Sequence, residues 1–236
     1  MTSFVTITTL EVRKRLDTAG AAAGFGVLVA LVVACCAFSV SLVSRSANFD
    51  VGEVIVTAGL PAALAASIVG VVVGVGDAAR GGERDGILAG LTRDSIFAAR
   101  SAACAVIISA VVLFTVMCGF VGTGVAILIG GHVASWDVGQ PVVQVAALSY
   151  SSAAFGFGLG ASLRSLALGL VSVLVVMLVV DIVLGFLGTW TAYVRFGTLQ
   201  SGLTGEASVL PTVSSGLIWV VLPITAGWIR ARRVAT

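Results

Sequence analysis

Few side chains in this sequence could do chemistry, and their spacing is unhelpful to most reactions. The single histidine, His132, sits beside Gly130 and Gly131. It lacks the HExxH frame of a zinc peptidase. A serine–histidine dyad inside a membrane would need a histidine on a span, and none lies there. The only lysine, Lys14, lies in a stretch without the glycines of a GxxxxGK[ST] phosphate loop, so the chain is not expected to hydrolyse ATP. Cys35, Cys36, Cys104 and Cys118 form no CxxC pair and no His/Cys ligand set, and read as free buried thiols. No catalytic residue, no metal site and no cofactor on this chain are expected.

One ionisable residue stands out by its surroundings. Asp181 lies in the run Leu178-Val179-Val180-Asp181-Ile182-Val183-Leu184. A carboxylate at the centre of a span costs about 2.5–3.5 kcal/mol on insertion scales unless protein or water answers it. Asp181 therefore reads either as a translocation-path or proton-coupling residue, or as a packing residue satisfied by a neighbouring span. The cluster Ser149-Tyr150-Ser151-Ser152 is a candidate partner.

The elements that must position these residues are set by composition. Of 236 residues, 58% are hydrophobic and 10% charged, against about 25% charged in an ordinary globular domain; mean hydropathy is +1.14. That excludes a soluble domain, and a net charge of +2 points to neither nucleic acid nor an acidic substrate. Apolar runs predict six spans, near 19–43, 54–76, 102–129, 142–163, 166–188 and 213–228. Arg164 and Ser165 divide the fourth from the fifth. The expected fold is an all-α membrane protein, one domain over 1–236.

With the N-terminus in the cytoplasm, only Arg45 and Arg195 of the thirteen basic residues lie outside, leaving eleven inside. This is the bias of the positive-inside rule, and it places both termini in the cytoplasm. The expected location is a cytoplasmic (inner) membrane, crossed many times; abundant Ala, Gly and Val beside one Lys suggests a bacterium of high genomic GC content. The segment 189–212 is expected outside. It is too apolar for a plain loop and is broken by Gly197, Gly202 and Gly205. It reads as an external helical hairpin, interfacial or re-entrant, with Trp190 and Tyr193 at headgroup level; a mobile loop is the alternative.

Three GxxxG pairs, Gly20/Gly24, Gly70/Gly74 and Gly156/Gly160, would let helix backbones approach closely in lipid. Residues 1–18 read as an interfacial helix whose Glu11, Arg13, Lys14 and Arg15 anchor it at the inner surface, or else as a frayed basic tail. The cytoplasmic segment 77–100 is longer than a turn requires. In it Ile87, Leu88 and Leu91 form a small apolar face on a short helix flanked by charge, fit for a groove on a soluble partner.

The order of these parts resembles the permease subunits of type-2 ABC exporters. The resemblance rests on Glu11 and Lys14 at the front, then Glu83, Gly86, Leu88, Leu91 and Arg93 in the loop, with Arg100 opening the third span. Ile87 stands where many members have Thr, and the proline often seen before the Ser-Arg pair is missing. The resemblance implies two permease chains, the same or different, and two copies of a separate ATPase subunit that carries the ATP and Mg. It also implies that Glu83, Gly86, Ile87, Leu88, Leu91 and Arg93 couple the two, and that external helices join the fifth and sixth spans. Two other classes compete: a proton-coupled secondary transporter built on Asp181, and a non-transporting immunity or assembly protein. The apolar spans favour a lipid-like, amphipathic or peptide cargo over a small ion.

Overall fold

The computed structural model describes residues 4–17, 19–43, 48–76, 87 and 90–233. The chain runs through helices α1 (Phe4–Leu16) and α2 (Ala19–Val43), strand β1 (Asn48–Asp50), α3 (Val51–Val75), α4 (Arg93–Leu128) and strand β2 (His132–Ser135). Then follow α5 (Gly139–Leu163), α6 (Leu166–Phe186), a 3-10 turn (Thr189–Tyr193), α7 (Phe196–Leu203) and α8 (Val209–Arg233). Helices α2, α3, α4, α5, α6 and α8 are each long and apolar enough to cross a bilayer. The chain thus has the architecture of a multi-pass α-helical membrane protein.

Several boundaries differ from the sequence expectation. The third span, expected to open at 102, is the end of a helix that starts at Arg93, so the last part of segment 77–100 is helix. The sixth runs Val209–Arg233 rather than 213–228, shortening the external segment. A polar cap explains the early start of α4: Thr92 Oγ1 accepts the Ser95 N–H at 3.2 Å while the chain is still charged. The break at Arg164 is sharp. Arg164 takes the left-handed conformation (φ 53°) and donates its N–H to Gly160 O, and Ser165 Oγ caps α6 at Leu168 N.

Two short strands depart from an all-α chain. Asn48 and Phe49 pair in parallel with His132 and Val133, which puts the exposed His132 on an edge. This strand end of the bundle lies opposite a basic end, where Arg13, Arg93, Arg100, Arg164, Arg230 and Arg232 collect at helix termini.

Helix α3 is the centre, packed by α2, α4 and α5. It runs parallel to α5, and two glycine pairs set their distance. A Cβ on Gly70 or Gly74 would overlap the carbonyl oxygens of Ala153 or Phe157, and one on Gly156 or Gly160 those of Ser67 or Val71. Backbones thus touch where side chains would otherwise intervene, and Ala66, Val73, Ala153 and Phe157 close the core around them. Gly24, with nothing within reach of a Cβ, takes no part. Helices α2 and α6 turn Phe25, Leu31, Phe38, Leu178 and Ile182 outward, as lipid-facing surfaces require.

Candidate functional site

At the basic end α1, α3 and α4 meet around one buried ionic cluster. Glu11 and Arg15, one turn apart on α1, both face the bundle. Arg15 Nη2 lies 3.6 Å and Arg100 Nε 4.0 Å from Glu11 Oε2. The side chains of Glu11, Arg15 and Arg100 are only 11%, 14% and 7% exposed. Arg15 Nη1 also donates to Val72 O at 3.5 Å, and the Arg100 guanidinium covers Gly76, where a Cβ would come within 2.5 Å of it. Both cations thus sit at the C-terminal, electronegative end of α3, and Glu11 balances them. Only glycine leaves room there, and Gly76 has φ 60°.

The expected surface anchor is therefore divided. Arg13 and Lys14 point outward, 77% and 54% exposed, where Arg13 pairs only locally with Asp17 at 3.1 Å. Lys14 Nζ reaches Glu11 Oε1 at 3.8 Å from the rim. Glu11 and Arg15 instead lock α1 onto α3 and α4.

Of the expected loop residues, Glu83, Gly86 and Leu88 lie outside the described residues. Ile87 and Leu91 are half-buried, and Ile87 O accepts the Gly90 N–H at 2.9 Å. Arg93 opens α4 and donates from Nη1 to Arg232 O at 2.8 Å. Its neighbour Asp94 receives Trp228 Nε1–H at 3.0 Å and the Arg232 Nε–H at 2.8 Å and Nη2–H at 2.5 Å. The Arg232 guanidinium also lies 4.1 Å from the Trp228 ring centre. Sequence reasoning missed Asp94, Trp228 and Arg232, because only the packing of α8 against α4 brings them together.

Towards the strand end, Asp181 finds its partners on the segment that follows its own span. Arg195 Nη2 lies 3.2 Å from Asp181 Oδ2, and the Gly197 N–H donates to Oδ1 at 2.7 Å. The expected cluster at Ser149–Ser152 is not involved; Tyr150 bonds Ser109 of α4 instead. Asp181 thus caps the first turn of α7 and holds a cation.

The segment after α6 is a hairpin folded back against the helices. Thr191 Oγ1 donates to Leu184 O at 2.8 Å as the chain leaves α6. The chain then descends to Phe196, whose ring lies 5.2 Å from Phe155, about 24 Å along α5 from its strand-end start. Helix α7 climbs back until Thr204 O meets Gln144 Nε2 at 3.1 Å. Non-helical backbone at that depth needs internal partners. Helix α8 supplies them: Ser215 Oγ donates to Ala192 O at 3.2 Å, Trp219 Nε1 to Val194 O at 2.7 Å, and Ser214 Oγ to Tyr193 O. Trp190 and Tyr193 stay exposed.

Asp181→Ala removes the cap and leaves Arg195 facing apolar spans. It should lower stability by about 1–3 kcal/mol, read as a fall in thermal midpoint in detergent. Asp181→Asn keeps an acceptor for Gly197 and should lose less. Equal losses for the two variants would contradict a capping role.

Elsewhere, an open cleft of about 560 Å³ at the strand end is lined by Asp50, Glu53, Asp137, Gln140 and Gln144. Glu53 stands in the first turn of α3, where a carboxylate suits the helix N-terminus. Among the described residues no three His, Cys, Asp or Glu side chains converge so as to hold a metal ion. At both ends of the bundle these contacts tie helices to one another. The molecule so defined is a helical membrane protein with six helices long and apolar enough to span a bilayer and a hairpin folded back between the last two. No protein-family model matches the chain, and no curated protein is detectably similar to it.

Proposed function

We propose that this chain is the membrane-spanning permease subunit of an ATP-driven exporter in a bacterial inner membrane. Two permease chains enclose the pathway, and a separate ATPase docks on the loop between α3 and α4. In this reading the basic end faces the cytoplasm, in keeping with the positive-inside bias, and the hairpin lies on the outer side. Arg13 and Lys14 meet anionic headgroups while α1 lies along the inner surface.

The observation that carries the reading is how the loop is held. Where it leaves α3, Arg15 and Arg100 grip the last turn and Gly76. Where it enters α4, Arg93 and Asp94 are bonded to α8. A force applied at the loop is thus delivered to α1, α3, α4 and α8 together, which is what an ATPase-driven switch between two arrangements of spans needs. A solvated turn needs no such fastening. Asp181, on which a proton-coupled mechanism would rest, is bonded to Arg195 and the start of α7.

The test is to express the tagged chain from its native operon, purify it in mild detergent and identify what accompanies it. The expected result is a subunit with a phosphate-binding loop and vanadate-sensitive ATP hydrolysis. Leu88→Asp with Leu91→Asp should release that subunit while the chain stays inserted. A chain that purifies alone and without ATPase activity overturns the reading.

A further inference from the structure

Helix α8 is bonded to a different neighbour at each end. At the basic end its last turns make four hydrogen bonds with the first turn of α4: Trp228 and both Arg232 donors to Asp94, and Arg93 to Arg232 O. About 20 Å away at 1.5 Å per residue, Trp219, Ser215 and Ser214 hold three consecutive carbonyls at the tip of the hairpin. Residues 219 and 228 fall on roughly opposite faces of a helix, so the two tryptophans grip opposite neighbours.

Between the grips α8 meets α5 where side chains are missing. A Cβ on Gly158 would overlap the backbone of Pro223, and one on Gly227 would come within 2.8 Å of Ala161 Cβ. Such small residues let α8 lie close against α5. Trp219 also stands inside a π turn, Leu217–Val221, a local widening of the helix that is common at functional positions.

We infer that α8 links the Asp94 clasp to the hairpin tip, so that displacement at the loop end of α4 moves the tip, and the reverse. This goes beyond the proposed function. The test uses the chain alone in lipid nanodiscs, so its outcome does not depend on whether an ATPase docks.

Hydrogen exchange by mass spectrometry reads both ends at once. Asp94→Ala opens the clasp and should speed exchange in the peptide covering 189–203 by about fivefold or more. Arg230→Ala, a change on the same last turns but outside the clasp, should leave that peptide unchanged. Coupling is reciprocal, so Trp219→Phe, which keeps a ring against Phe155 and Phe196 but loses the bond to Val194, should speed exchange across 93–100 by a similar factor. Faster exchange confined to the mutated end, in either variant, overturns the link. If Asp94→Ala does not insert, Trp219→Phe decides the matter from the other end.

Discussion

Gly156→Leu should prevent the chain from reaching its folded bundle, with a loss of more than about 4 kcal/mol. A side chain at 156 meets the Ser67 carbonyl of α3, and backbone cannot rotate away as a flexible side chain can. Relief requires α3 and α5 to part, and that opens contacts on both sides of the seam. Ala66, Val73, Ala153 and Phe157 would lose their packing. In lipid the separated helices regain little, because association there rests on close van der Waals fit rather than on escape from water. Gly70→Leu should do the same from the α3 side. The measurement is the fraction of monodisperse protein after detergent extraction, with the thermal midpoint of what remains. Gly24→Leu, at the same kind of motif but with open space around it, should stay near wild type. A Gly156→Leu protein as monodisperse and as heat-stable as wild type would remove the glycine seam from the account.

The second large effect is expected at Glu11. Glu11→Ala leaves Arg15 and Arg100 facing each other at the end of α3 without the carboxylate between them. Removing one partner from a buried ionic cluster costs about 3–5 kcal/mol, because the remaining charge stays desolvated. The α3 terminus offsets part of that through Val72 O. The loss should therefore appear first as local release of α1, seen as protease cleavage between α1 and α2, and then as a lower thermal midpoint. Arg13→Ala provides the comparison. Its partner Asp17 is also largely exposed, and such pairs contribute about 0–1 kcal/mol. Equal protease resistance of the Glu11→Ala and Arg13→Ala chains would mean that the buried cluster does not hold α1.

These two cases mark where sequence reasoning reaches its limit. Gly20/Gly24, Gly70/Gly74 and Gly156/Gly160 are indistinguishable as patterns, yet the last two pairs form one seam and Gly24 touches nothing. Glu11, Arg13, Lys14 and Arg15 read as a single polar group, and rotation of α1 sends two of them inward and two outward. Asp181 was legible as a costly residue, but its partners Arg195 and Gly197 were not. They lie on a segment that a hydropathy reading leaves outside, and only its fold back into the span layer brings them to Asp181. Nothing local announced Asp94 as the acceptor for Trp228 and Arg232.

What the sequence determined by itself is whatever depends on a window of neighbours. Six apolar runs of bilayer length, the Arg164–Ser165 break, the asymmetry of basic residues and the helical character of the segment after α6 all follow from composition over one to two dozen residues. Transfer into lipid is close to additive along a helix, so such sums are readable. Tertiary structure decided the rest: which glycines meet backbone, which charges are buried together, how deep the hairpin dips, and that Asn48 pairs with His132 across the chain. Those outcomes depend on the rotation and depth of each helix relative to the others. Many weak contacts between distant residues set these at once, and no window along the chain contains them.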